Sequence, residues 1–284
     1  MTLKKTLPIT IREVSDIQGF RKCLNLQQET WGRGFIDLVP GSMLMIAQKT
    51  GGLVLGAFAG DSMVGFVFGF AGWKGDRKIQ WSDMLAVKKA YRNLNIGLRL
   101  KLRQREILKK RGVQEIYWTF DPLESKNAYF NFQKLGIVVE EYLPNLYGKT
   151  HSPLHRGLET DRFLAIWRIQ DTPPDSSTKR NVVASVRRTN LINWCSLSQD
   201  NHLIPGRPNL RLLPTKGAAL ERLYFEIPNN ISELSKEDPW LARQWQLCTR
   251  LACQHYLRKG YIIWRFISAV VSGRRGTFYE FRRK

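Results

Sequence analysis

Over residues 9–14 apolar and polar side chains alternate, the two-residue period of a half-buried strand. Ser15-Asp16 then offers a helix N-cap ahead of Ile17, Phe20, Cys23 and Leu24 at helical spacing. A second helical pattern over 35–48 is interrupted by Pro40-Gly41. Runs at 53–59, 63–71 and 79–87 predict three strands, with Gly60-Asp61 as the hairpin turn between the first two. The most apolar stretch, 63–73, is interrupted by Gly65, Gly69 and Gly72 and bounded by Asp61 and Lys74, which predicts a central strand. It falls short of the roughly 18 to 20 residues that a membrane-spanning helix needs.

Residues 97–111 carry a mixed signal. Leu98, Leu100 and Leu102 alternate with basic residues, yet the run is too long and too charged for a typical strand. The Leu98/Leu102 pair four apart, and Lys109-Lys110-Arg111 just before Gly112, predict a helix. A strand follows at 114–120. Asp121-Pro122-Leu123-Glu124 reads as an N-cap acid, a first-turn proline and a capping-box glutamate, predicting a helix from there to Gly136. Strands at 137–142 and 163–169 close this part. Residues 171–180, with Pro173-Pro174 and Ser176-Ser177-Thr178, have linker composition. Beyond them come a strand at 223–227, a helix opened by Asp238-Pro239 with Leu241, Trp245, Cys248 and Ala252 as its buried stripe, a stop at Gly260, and strands at 261–270 and 277–281. The pattern predicts an α/β (α+β) fold: a mixed sheet flanked by helices over 1–170, a linker over 171–186, and a β-α-β-β extension over 187–284 that packs on or extends the first domain.

Composition narrows the chemistry. The 284 residues carry 45 Lys and Arg against 24 Asp and Glu, a formal charge of +21, which favours an anionic partner: nucleic acid, a membrane face or a phosphorylated cofactor. Cys23, Cys195, Cys248 and Cys253 lack CxxC spacing, and His151, His155, His202 and His255 do not pair with them, so no metal is expected. The cysteines read as buried hydrophobes of a reducing compartment, and Met1-Thr-Leu-Lys-Lys lacks the apolar core of a secretion signal, so the expected address is cytoplasmic, without membrane contact. The basic ends, with Lys4, Lys5 and Arg282-Arg283-Lys284, read as solvated.

The strongest local signal is Met84-Leu-Ala-Val-Lys-Lys-Ala-Tyr-Arg92-Asn-Leu-Asn95-Ile-Gly97, a buried strand running through a turn into a basic helix. Unpaired N–H groups at the helix start, the positive end of the helix dipole, and Lys88, Lys89 and Arg92 converge there, which suits a diphosphate.

In this order of elements the first 170 residues resemble the GNAT superfamily of acyl-CoA-dependent N-acyltransferases, with Arg92, Asn95 and Gly97 at the positions of its Arg/Gln-x-x-Gly-x-Gly/Ala loop. Asn95 departs from the glycine of that pattern; asparagine is the next-best residue at positive φ but adds a side chain. The resemblance implies a splayed sheet with acetyl-CoA or another acyl-CoA as co-substrate. Main-chain groups of Leu85 and Val87 would pair with the pantetheine arm, and amides of Asn93, Leu94, Asn95, Ile96, Gly97 and Leu98 would hold the diphosphate.

Asn127-Ala-Tyr129-Phe-Asn-Phe132-Gln-Lys-Leu-Gly136 is similar to the family's helix after the fifth strand, which places Asn127 at the cofactor. Phe132 stands where the family usually has a tyrosine that protonates the leaving thiolate; Tyr129, about one turn earlier, is the candidate in its stead. The strings at 118–131, 144–148 and 160–163, with Glu226-Ile-Pro228 and 238–245 in the extension, resemble one bacterial GNAT subfamily, some of whose members act on amino acids and use succinyl groups.

For the general base the candidates are Asp83, Asp121 and Glu124; for the acceptor pocket, Tyr147, Asp161 and Arg162, with Arg162 suited to a substrate carboxylate. The expected reaction moves an acetyl or succinyl group to the primary amine of a small molecule, and the subfamily resemblance points to an amino acid as that acceptor. Two alternatives stay open: a nucleic-acid-binding protein, prompted by Arg99, Lys101, Arg103, Arg105, Lys109, Lys110 and Arg111 on one element, and a CoA-binding GNAT fold without catalysis, prompted by Asn95 and Phe132. The oligomeric state is left open.

Overall fold

A computed structural model describes residues 8–32, 37–148, 157–170, 186–212 and 222–284. The strands are β1 (Ile9–Glu13), β2 (Leu53–Ala59), β3 (Ser62–Lys74), β4 (Arg77–Val87), β5 (Glu115–Phe120), β6 (Val138–Leu143), β7 (Arg162–Arg168), β8 (Ser196–Leu197), β9 (Leu203–Ile204), β10 (Arg222–Ile227), β11 (Tyr261–Val271) and β12 (Arg274–Arg283). The helices are α1 (Ile17–Trp31), α2 (Gly41–Lys49), α3 (Ile96–Lys110), α4 (Ser125–Tyr129), α5 (Ile231–Glu237) and α6 (Pro239–Arg258). The chain divides into two compact units, residues 1–118 with 168–171, and residues 119–167 with 172–284. The expected linker lies outside the described residues except at Val186.

In the first unit β1, β2, β3 and β4 form an antiparallel meander, and β5 joins β4 in parallel. Asp16 caps α1 as its sequence suggests, its Oδ1 accepting from the Gly19 N–H at 2.6 Å. Phe20, Cys23, Leu26 and Leu44 of α1 and α2 pack on Val54, Phe66 and Phe68 to make one core. Helix α3 buries Ile96, Leu100, Lys101, Gln104 and Leu108, while Leu102 is 44% exposed. The expected helix forms, with Leu98 partly buried, and its buried face takes in two polar side chains.

In the second unit the strands run in the order β7, β6, β11, β12, β10, so the C-terminal strands continue the sheet of β6 and β7. Helix α6 opens on Asp238, whose Oδ1 accepts from the Leu241 N–H at 2.9 Å, with Pro239 at its first position; its stripe of Leu241, Trp245, Cys248 and Ala252 is buried. The helix expected from Asp121 begins only at Ser125. Asp121 caps a turn, its Oδ1 accepting from the Leu123 N–H at 2.8 Å, and Glu124 makes no capping bond. Glu124 instead accepts from Ser232 Oγ of α5 at 2.6 Å. Past Tyr129 the helix widens into a π-helical turn, Phe130–Leu135, before Gly136 ends it at φ 71°. Cys195 is only partly buried, unlike the other cysteines. Among the described residues no helix is long and apolar enough to cross a membrane.

Candidate functional site

The turn after β4 has the geometry of an anion cradle. Lys88 N–H bonds back to Val64 O, a short 3-10 turn covers Lys89–Tyr91, and the chain then enters α3 through Asn93 and Asn95, at φ 65° and 56°. Asparagine tolerates this left-handed conformation where branched residues do not, so Asn95 meets the backbone demand that the departure from glycine puts in question. Among the described residues, none of the backbone N–H groups of Asn93, Leu94, Asn95, Ile96, Gly97 and Leu98 has a protein acceptor.

Gly97 adds room. A Cβ there would sit 3.7 Å from Leu85 Cδ2 and 4.0 Å from Val87 Cγ2, ordinary contact, so packing does not require glycine; the missing side chain leaves the amides approachable. Lys88 pairs with Glu29 at 3.1 Å, whereas Lys89 and Arg92 have no carboxylate within 4.0 Å among the described residues. Arg92 Nε donates to Val87 O at 3.4 Å. These groups fit a diphosphate.

Strand β4 leads from this cradle to a point where the sheet opens. Pairing of β4 with β5 covers only Ile79, Gln80 and Trp81 against Glu115, Ile116 and Tyr117; from Ser82 to Val87 the pairs of β4 are with β3. A bulge at Asp83 shifts the alternation, so Leu85 and Val87 face α3 while Met84 joins the core. Main-chain groups on the unpaired edge beside Leu85 and Val87 are thereby left for a ligand. Asp83 is exposed, but local desolvation raises its carboxyl above the usual range, against a hydrogen bond from Trp81 that lowers it.

Most of the basic residues of α3 are exposed, and each of the following has a local partner. Arg99 donates to Ile9 O, Arg105 to Ile169 O and Lys109 to Gln170 O, while Arg103 and Lys110 pair with Glu106 and Arg111 with Glu13. Lys101, one of the bases that prompt the nucleic-acid alternative, is 3% exposed and so is not part of any surface patch.

The second unit gathers several of the other candidates. Arg162 Nη1 stands 4.0 Å from Asp121 Oδ2 and donates to Asp161 O, and its guanidinium lies 5.4 Å from the centre of the Tyr147 ring. The Tyr147 hydroxyl shares a 2.8 Å hydrogen bond with Thr119 Oγ1. Loss of water around its carboxyl pushes Asp121 up to about 6, with smaller upward contributions from Glu124 and Asp161 and downward ones from the Leu123 N–H and Arg162.

Asp161 is buried and fully engaged: Arg250 grips both of its oxygens at 3.0 and 2.6 Å, Tyr142 donates at 2.5 Å and the Asn145 N–H at 2.9 Å. Asn127 accepts from Asn131 Nδ2 at 3.1 Å. Tyr129 is half exposed with Lys134 Nζ 5.8 Å from its ring centre, while Phe132 is buried among Phe120 and Tyr279. Sequence reasoning missed Thr119, Arg250 and Lys101. Arg250 has no local signal, since its partner lies 89 positions away.

No family model matches the sequence, and no curated protein does. Solved structures similar to it include an aminoglycoside 6'-acetyltransferase type Ii (22% identity, 58% of this chain and 99% of that one, TM-score 0.46). Others are the ribosomal-protein-S18-alanine N-acetyltransferase from Escherichia coli (15% identity, 59% and 98%, TM-score 0.46) and an acetyltransferase of the GNAT family from Streptococcus pneumoniae (18% identity, 56% and 98%, TM-score 0.46).

Proposed function

We propose that this protein is an acyl-CoA-dependent N-acyltransferase acting on the primary amine of a small molecule. The observation that carries the reading is the run of partnerless amides from Asn93 to Leu98 at the N-terminus of α3, directly continuous with a strand whose edge is unpaired. Such amides are fixed dipoles that hold a diphosphate without rearrangement. The thioester, when bound, supplies the electrophilic carbonyl.

Asp83 is the base of this reading. It takes a proton from the attacking amine as the C–N bond forms and the C–S bond breaks, and a proton returns to the departing thiolate. In the second unit Tyr129, half exposed, is kept as a candidate acid, while Glu124 is held by Ser232 and is not free to act as the base. Within the second unit taken by itself, Tyr147 and Arg162 are the residues of the candidate acceptor pocket. Ionised Asp121 draws in the amine in its ammonium form, whose extra proton leaves to solvent before attack.

Calorimetric titration with acetyl-CoA, and the same titration with RNA, tests the reading. Arg92→Ala is expected to weaken acetyl-CoA by about tenfold, the loss of one charge-assisted contact. Tight RNA binding without CoA binding overturns the reading. For the chemical step, Asp83→Asn is expected to lower kcat by roughly 10² to 10⁴, the usual range for a general base. Because only the ionised carboxylate accepts a proton, wild-type kcat rises with pH through the raised Asp83 value, and that limb is absent in the variant.

The acceptor side has its own signature. Asp121 attracts a cation only when ionised, so the KM for the amine is expected to fall as pH rises through about 6. In Asp121→Asn that change is lost, and a KM profile identical to wild type rules the role out.

A further inference from the structure

Lys101 lies in the second turn of α3, buried, with no carboxylate within 4.0 Å among the described residues. Its Nζ donates to Ser82 Oγ at 2.8 Å and stands 3.8 Å from the centre of the Trp118 ring. Ser82 follows Trp81, the last β4 residue paired with β5, and Trp118 follows Tyr117, that residue's partner. The ammonium therefore sits where the two strands part. Ser82 Oγ in turn donates to Gln104 Oε1 at 3.3 Å.

Two more polar side chains belong to this layer: Gln104, bonded to the same Ser82 Oγ, and Gln80, two residues before Ser82 and so on the same face of β4. Gln104 Nε2 and both polar atoms of Gln80 are buried without a hydrogen-bond partner, and both glutamines are fully buried. An ammonium has three donors and an amide nitrogen two, so after the bond to Ser82 this cluster offers several N–H groups against the one free oxygen of Gln80. Buried polar atoms are ordinarily satisfied and buried charges ordinarily paired, and an electron-rich oxygen group would meet both needs here. Burial lowers Lys101 to about 7, so the amine takes up its proton readily once an anion stands beside it.

The cluster is also in line with the unpaired edge of β4. Five residues separate Val87, next to the phosphate cradle, from Ser82, about 16 Å along a strand. Whatever arm follows this edge from the cradle brings its far end, not its diphosphate, to Lys101.

We propose that Lys101, with Gln80, Ser82 and Gln104, receives a carboxylate at the far end of the acyl group, so that the preferred donor is a CoA thioester of a dicarboxylic acid. This rests on the acyl-CoA reading above. The test is calorimetric titration of the full chain with free CoA, succinyl-CoA and butyryl-CoA, the last two equal in chain length but ending in carboxylate and methyl. Succinyl-CoA is expected to bind at least about tenfold tighter than butyryl-CoA, as one charge-assisted contact provides.

Lys101→Met is expected to abolish that preference and leave butyryl-CoA affinity within about twofold. Gln104→Leu, a milder change, is expected to reduce the preference by about threefold. Equal affinities of the two thioesters in the wild type, or a preference that Lys101→Met retains, overturns the proposal. If free CoA binds and succinyl-CoA gains nothing, only the carboxylate receptor falls; if no CoA compound binds, the donor reading falls and takes this one with it.

Discussion

Gly97→Glu is expected to weaken acyl-CoA binding more than about a hundredfold while leaving the fold intact. The two halves of this result have separate causes. Several amide contacts to one diphosphate, each worth about 1.5 to 3 kcal/mol when charge-assisted, are opposed at once by a carboxylate placed among them, and tenfold in affinity is only about 1.4 kcal/mol. The protein itself tolerates the change, because a Cβ at this position meets Leu85 and Val87 at 3.7 and 4.0 Å and the residue does not need positive φ. An acid in the first turn also complements the helix dipole, by about 0.3 to 1 kcal/mol. Calorimetry with acetyl-CoA and a thermal melt read the two effects. Unchanged affinity with an unchanged melting temperature shows that the cradle does not hold the nucleotide.

That cradle was legible in the sequence because its signal is local: a strand, a turn with asparagines able to take positive φ, and a helix N-terminus within fourteen residues. The longer strands and α6 were legible for the same reason, since period and caps lie within each segment, whereas the two-residue strands β8 and β9 are too short to show a period. Elsewhere the signal was mixed. In α3 the alternation of Leu98, Leu100 and Leu102 competed with the helix that forms, because buried Lys101 and Gln104 look polar and therefore solvated in a one-dimensional pattern. Asp121-Pro122-Leu123-Glu124 carries every mark of a helix start, yet Glu124 is drawn to Ser232, a partner 108 positions away that no local rule contains. The pairing of Asp161 with Arg250 is hidden for the same reason: tertiary contacts decide which of several plausible polar residues become structural.

Asp161→Ala is accordingly expected to cost about 3 kcal/mol of stability, the lower end of the range for breaking a buried ion pair, because Arg250 retains some exposure and its bond to Glu159. The change leaves the Tyr142 hydroxyl and the Asn145 N–H without their acceptor as well. For a chain of this size the melting temperature is expected to fall by roughly 6 to 12 °C. A double-mutant cycle separates pairing from packing: if the two act as a unit, Asp161→Ala with Arg250→Ala is little worse than Asp161→Ala alone. Additive losses instead show that Arg250 is stabilised by other neighbours.

Function follows through position rather than contact. Asp161 fixes Asn145, and Asn145 and Thr160 hold the turn that carries Tyr147, whose N–H donates to Thr160 Oγ1 at 2.9 Å. Loosening that turn is expected to raise the KM for the amine well below the melting temperature while acetyl-CoA affinity, which the proposed function assigns to the cradle of the first unit, stays unchanged. A loss of acetyl-CoA affinity equal to the rise in KM means that the variant has unfolded more widely, and Asp161 then has no selective role in positioning the acceptor.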